Sequence, residues 1–156
     1  MSAGLSTFLL MLLAALLLAC CWFDWRSRTI PNGLNAAIAL LAIPFWWAAG
    51  LALWPDIALQ IGLAVAVFAI FALAFAIGAM GGGDVKLLGA LALWLPWQAL
   101  LAMLVIMSIA GGVLTLGFVV AGRIAGRTER PEIPYGLAIA FGGLWVLSER
   151  FLYQFG

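Results

Sequence analysis

The chain is written in apolar runs with almost nothing polar inside them. Residues 4–23, 33–54 and 57–79 are each long enough to cross a hydrocarbon core of about 30 Å as a helix. Of the 156 residues, 67% are hydrophobic and 8% are charged, far from the roughly 25% charged of a water-soluble domain. Inside hydrocarbon a backbone must satisfy its own polar groups, which restricts spanning segments to helices or closed barrels. The expected fold is therefore all-α: a polytopic integral membrane protein, forming one membrane-embedded unit over residues 1–156 with no separate soluble domain.

Residues 86–122 need a decision. As one helix these 37 residues would run about 55 Å, too long for one crossing and short for two. Pro96, between Trp94 and Trp97, marks a turn. The reading is a short fourth helix over about 86–95 and a long, tilted fifth over about 97–122, with a last span over 134–152. Six transmembrane helices with an external N-terminus place the loops 24–32, 80–86 and 123–133 on one side. That side holds Arg26, Arg28, Lys86, Arg123, Arg127 and Arg130, six of the seven basic residues, and leaves Arg150 on the other. This asymmetry is the positive-inside pattern; a five-helix arrangement would break it. Trp46, Trp47 and Trp54 suit an interfacial aromatic belt.

Composition also excludes functions. A net charge of +1 and no basic patch leave nothing to grip nucleic-acid phosphates. With no His and two adjacent cysteines, Cys20 and Cys21, no metal site can be assembled from the usual ligands. The first span has no basic stretch before it and is longer than a signal-peptide core. It is read as a retained helix, with the two cysteines as small apolar residues in it.

Few charges remain, and each needs a reason. Asp56 follows Pro55 and precedes a helix, so it reads as an N-cap on the external side. Asp84 also precedes a helix and is read equally as a cap or as a functional acid. A cap does not require the three glycines Gly81, Gly82 and Gly83 before it; glycines there permit positive φ or the close approach of another backbone. Asp24 follows the C-terminal end of the first helix, where the macrodipole disfavours an anion, and Trp22, Phe23 and Trp25 shield it from water. An interfacial pair with Arg26 or Arg28 is the bland alternative. On the proposed topology Asp24 and Asp84 share the cytoplasmic face, each opening an Asp-x-basic triplet at a helical hairpin. Two converging carboxylates share a proton: the ionised one can activate water while the other donates to a carbonyl.

Gly81-Gly82-Gly83-Asp84 matches the GxGD signature of membrane-embedded aspartyl proteases. Together with Asp24, Ile30-Pro31-Asn32, Lys86 and Ile133-Pro134-Tyr135-Gly136, it makes the chain resemble the bacterial type IV prepilin peptidase family along essentially its whole length. The resemblance implies a catalytic pair at Asp24 and Asp84, with Gly81, Gly83 and Lys86 as motif or substrate-positioning residues. It also implies a prepilin substrate cleaved at the cytoplasmic face of the bacterial inner membrane, commonly after a glycine, and no cofactor. Larger members carry paired C-x-x-C motifs in the first cytoplasmic loop and also N-methylate the pilin. Here that loop is only Asp24 to Asn32, so peptidase activity alone is expected, as in the compact enzymes similar to those of Flp-type (tight-adherence) pili.

Smaller features fall around this frame. Lys86 either orients Asp84 or serves topology and acidic lipid headgroups. Tyr135, which the resemblance places near the active site, either donates to a carboxylate or anchors at the interface. Gly78/Gly82 and Gly122/Gly126 have GxxxG spacing, though loop flexibility explains them equally. Ser108 and Thr115 are expected to bond back to their own helix, and Glu129 and Glu132 to be solvated. Two other functions stay open on the sequence: a small proton- or cation-coupled transporter and a non-enzymatic subunit of a pilus or secretion assembly. Oligomeric state is not legible.

Overall fold

The computed structural model describes residues 3–126 and 133–155, with side chains for 4–126 and 133–150. It is all-α and polytopic. Six helices follow in order: α1 (Ala3–Ser27), α2 (Asn32–Ala49), α3 (Ala58–Ala76), α4 (Gly82–Ala92), α5 (Trp97–Ile124) and α6 (Tyr135–Phe155), with a π turn at Leu53–Ile57 before α3. No strand occurs among the described residues. Four helical stretches are long and apolar enough to cross a membrane: Gly4–Ser27, Asn32–Ala49, Leu53–Ala76 and Trp97–Ile124. The break at Pro96 separates α4 from α5, as the charge asymmetry requires.

Each long helix buries one stripe and turns the rest outward. On α1 the buried stripe is Leu10, Leu13, Leu17, Cys20 and Asp24, while Phe8, Met11, Leu18 and Trp22 are exposed. The spacing of three and four is the helical period, so Asp24 is the next position of the core-facing row. α4 is different: residues 84, 85 and 87–92 are all buried. It is the innermost helix, packed by α2, α3 and α6. At 11 residues it is about 16 Å long, so it ends deep in the protein and leaves carbonyls of Leu93–Pro96 to be satisfied. Trp46 Nε1 donates to the Leu93 carbonyl at 2.7 Å, and Gln60 Nε2 donates to the Leu95 carbonyl at 2.9 Å. Trp94 closes the same corner, donating to the Ile38 carbonyl at 2.8 Å and stacking on Phe45 at 4.8 Å between ring centroids. Irregular backbone at membrane depth is tolerated only where protein groups satisfy it; side chains of α2 and α3 do so here.

Several expectations are corrected by these contacts. Trp46 does not belong to an aromatic belt, because it is buried, whereas Trp47 and Trp54 are exposed. α2 ends at Ala49 rather than 54 because Gly50, at φ 73°, turns the chain and caps the Trp46 and Trp47 carbonyls. α1 continues to Ser27, so Asp24 is inside its last turns and not after its end. Arg28 at φ 55° stops the helix, and Pro31 holds Ile30 out of helical geometry. Asp56 does not cap a helix: its Oδ2 accepts from the backbone N–H of Ala52, at 3.0 Å. Of the four GxxxG glycines, Gly82 alone is closely approached, a Cβ there lying 3.3 Å from the Phe75 ring of α3, while one at Gly78, Gly122 or Gly126 would meet nothing within 4 Å. The tight helix approach is at Gly142, where a Cβ would lie 2.9 Å from the Met103 carbonyl of α5. Ser108 and Thr115 do bond back, to the Leu104 and Gly111 carbonyls. Arg127, Glu129, Arg130 and Glu132 lie outside the described residues.

Candidate active site

Asp24, Asp84 and Tyr135, brought in by α1, α4 and α6, line one cavity of about 520 Å³, together with Arg28 and Gly81. Both aspartates are buried, at 4% and 8% exposure, which is too little for solvated surface acids.

Asp24 is seated on the N-terminus of α6. Its Oδ2 accepts the Leu137 N–H at 3.2 Å, and the Gly136 N–H also reaches the carboxylate. First-turn amides have no partner within their own helix and, with the helix dipole, form a natural seat for an anion. Residue 136 has no room for a side chain: a Cβ would come 2.8 Å from both Cγ and Oδ2 of Asp24. Arg28 acts on Asp24 by charge, while its guanidinium lies over Phe118 at 5.3 Å and Trp25 at 5.9 Å, and its buried Nη1 has no partner. The simple Asp–Arg pair thus gives way to a backbone seat.

Asp84 lies in the first turn of α4, a helix too short to cross the membrane. Gly81, extended at φ −74° and ψ 145°, holds the N-cap position, so Asp84 sits three residues inside and is not itself the cap. Burial pushes its carboxyl up to about 7, with the charge of Asp24 adding to the rise and the Gly81 N–H opposing it. The three glycines are there for proximity rather than for positive φ, which none of them has. A Cβ at Gly81 would approach Asp84 Oδ2 to 3.0 Å, one at Gly82 the ring of Phe75 to 3.3 Å, and one at Gly83 the side chain of Ile30 to 3.3 Å.

Ile30 links the two halves of the site. It is 6% exposed and stands between Gly83, beside Asp84, and Gly136, beside Asp24; its Cδ1 would be 2.9 Å from a Cβ on Gly136. α2 then holds α4 from the side. Asn35 Nδ2 donates to the Gly83 carbonyl at 3.1 Å, and Lys86 Nζ donates to Asn32 Oδ1 at 2.8 Å. The hydrogen-bond partner of Lys86 is therefore Asn32 and not Asp84. The Tyr135 hydroxyl is 3.5 Å from Thr115 Oγ1, and among the described residues it makes no bond to a carboxylate. Ile30 as a spacer, Asn35 as a clamp and the Gly136 and Leu137 amides as a seat are absent from the expectations above. Asn35, a polar residue one turn into an apolar helix, was the available signal. No group of His, Cys, Asp or Glu able to hold a metal occurs among the described residues.

This is a multi-helix membrane protein in which two buried acids from different helices face a common cavity beside the start of a half-length helix. It belongs to the type IV leader peptidase family, whose profile matches residues 11–116. Among curated proteins, the chain is 33% identical over 143 residues to a prepilin leader peptidase/N-methyltransferase of Burkholderia pseudomallei, covering 84% of this chain and 43% of that protein. It is 37% identical over 67 residues to the protein of the same name from Aeromonas salmonicida, covering 43% of this chain and 22% of that one. The chain thus spans less than half the length of these relatives. No solved structure matches it significantly.

Proposed function

We propose that this chain is an aspartic endopeptidase that removes the leader peptide of prepilin-like substrates at the cytoplasmic face of the bacterial inner membrane, with Asp24 and Asp84 as its catalytic pair. The observation that carries the reading is the shared cavity: two buried carboxyl groups, sixty positions apart in sequence, line one space.

The surroundings divide the work. Asp24, with two backbone N–H donors, is the better placed to carry charge. Asp84, pushed up to about 7, is the better placed to keep a proton. A water between them gives a proton to Asp24 while its oxygen attacks the scissile carbonyl carbon. Asp84 donates its proton to the carbonyl oxygen. The tetrahedral intermediate then collapses: the oxygen returns its proton to Asp84, the amide nitrogen takes one from Asp24, and the C–N bond breaks. Gly81 and Gly83 serve by letting Asp84 and Ile30 come close, and Lys86 by fixing the first turn of α4 to Asn32. The α1–α2 link, four residues from Arg28 to Pro31, has no C-x-x-C pairs, so removal of the leader without N-methylation is the expected activity.

The test is co-expression with a prepilin, following leader removal by gel shift and the new N-terminus by mass spectrometry. Asp24→Asn and Asp84→Asn should each abolish cleavage. Asp56→Asn should leave it intact, because Asp56 serves only the turn before α3. Cleavage surviving either of the first two changes overturns the catalytic assignment, and a methylated product overturns the restriction to peptidase activity.

A further inference from the structure

A second cavity, of about 480 Å³, opens between α2, α3 and α4. It does not contain the aspartates. At one end stand Asn32, Asn35 and Lys86; from there the lining is apolar, through Ala39, Val65 and Phe68 to Leu93. Lys86 to Leu93 spans about 10 Å along α4. Val65 is 62% exposed and Phe68 45%, on a helix that crosses the membrane, so the open side of the groove faces lipid.

The polar end has unused capacity of both kinds. Lys86 has three N–H donors and one assigned acceptor, Asn32 Oδ1. Asn35 is 5% exposed and lines the groove. Its Nδ2 must face the Gly83 carbonyl, which only a donor can satisfy, and so its Oδ1 is the other amide atom, buried with no hydrogen-bond partner. An unsatisfied buried acceptor calls for a donor. The groove therefore asks for a molecule with an anion for the ammonium, a hydroxyl for the amide oxygen and a hydrocarbon tail for the walls.

We propose that this groove seats an anionic glycerophospholipid with headgroup hydroxyls. Its phosphate meets Lys86, a headgroup hydroxyl donates to Asn35 Oδ1, and one acyl chain lies along α2, α3 and α4. Charge complementarity at the mouth selects the anionic lipid over a zwitterionic one, because the attraction of a juxtamembrane cation for an acidic headgroup survives where its neutralised counterpart does not. Asn35 also holds the Gly83 carbonyl, so the bound lipid bears on the segment that carries Asp84. Binding itself does not depend on the peptidase reading and is measured without substrate.

The test uses the purified full chain in detergent, supplied with dioleoyl phosphatidylglycerol, phosphatidylcholine or phosphatidylmethanol, the last having the charge without the hydroxyls. Retention is read by native mass spectrometry. A phosphatidylglycerol carrying a photoreactive acyl chain maps the contact. Phosphatidylglycerol should be retained about fivefold more than phosphatidylcholine, with phosphatidylmethanol between them. Lys86→Gln should remove the preference, and Lys86→Arg should keep it. Ala39→Phe, which fills the groove and leaves the charge, should cut cross-linking to α3 and α4. Equal retention of the charged and zwitterionic lipids, a preference unmoved by Lys86→Gln, or cross-links spread evenly around the outer helices would each overturn the site. Equal retention of phosphatidylglycerol and phosphatidylmethanol would overturn the role of Asn35. A prepilin helix that displaces no lipid from the groove supports the assignment; one that competes for it with the same Lys86 dependence counts against it.

Discussion

A methyl group on residue 136 would sit 2.8 Å from the carboxyl carbon of Asp24 and 2.9 Å from Ile30 Cδ1. Neither neighbour can retreat easily, since Ile30 is already packed against Gly83 on its other side. Gly136→Ala should therefore displace the Asp24 carboxylate and lower the rate of leader cleavage by about 100-fold, the usual cost of misplacing a reacting group by about 1 Å. A variant that keeps its full rate in the prepilin assay would show that the seat is dispensable. Acidity offers an independent test. Asp84 is raised to about 7, by burial first and by the charge of Asp24 second. As pH climbs through that value Asp84 loses the proton that the proposed mechanism has it donate, so cleavage should fall on the alkaline side. Asp24→Asn removes the neighbouring charge and should move the Asp84 titration downward. The infrared carbonyl band of the protonated acid, followed against pH, reports this directly, and an unmoved or upward midpoint would mean that the two acids are not coupled.

The half-length helix α4 depends on partners from other helices. Gln60 is a polar side chain inside an otherwise apolar helix, and its amide donates to the carbonyl of Leu95. Gln60→Leu would leave that carbonyl buried without a donor, at a cost of about 1–3 kcal/mol; Trp46→Phe would do the same to Leu93. Thermal unfolding in detergent should show both variants melting below the wild type, and an unchanged midpoint would mean that another donor takes over. That α4 is short was legible from the residue count between Gly81 and Pro96 and from the distribution of arginines. How its deep end is satisfied was not. Gln60 and Leu95 lie 35 positions apart, and a tryptophan at the end of a hydrophobic run looks the same whether it faces lipid headgroups or a carbonyl. Helix ends were misjudged where one residue's backbone decided them, as at Gly50 and Arg28.

The arrangement of six helices follows from apolar length and charge asymmetry, and both are properties of the sequence that survive averaging. The proximity of Asp24 and Asp84 is a different kind of fact. The sequence offered two acids on one predicted side, and the resemblance to a family offered a reason to pair them. What brings them to one cavity is Ile30 between two glycines and the start of α6 beneath Asp24, contacts between segments that no local pattern encodes. The sidedness can be checked on the whole molecule. In a background where Cys20 and Cys21 are alanine, Arg26→Cys and Lys86→Cys should react with an impermeant thiol reagent only from the cytoplasmic side, and Asp56→Cys only from outside. Labelling of positions 26 and 86 from opposite sides would rule out a common site.

The core-facing row of α1 ends in Asp24, so the acid's direction is set by a count of residues as much as by its surroundings. One alanine inserted between Leu17 and Cys20 would leave composition, charge and span length almost untouched. It would turn everything beyond it by about 100° about the helix axis, swinging the carboxylate out of the bundle toward hydrocarbon. The direction of Asp24 is thus kept by about four helical turns of mostly aliphatic packing from Leu10 onward, and on the proposed mechanism a single inserted residue within that row should silence cleavage as surely as removing the acid.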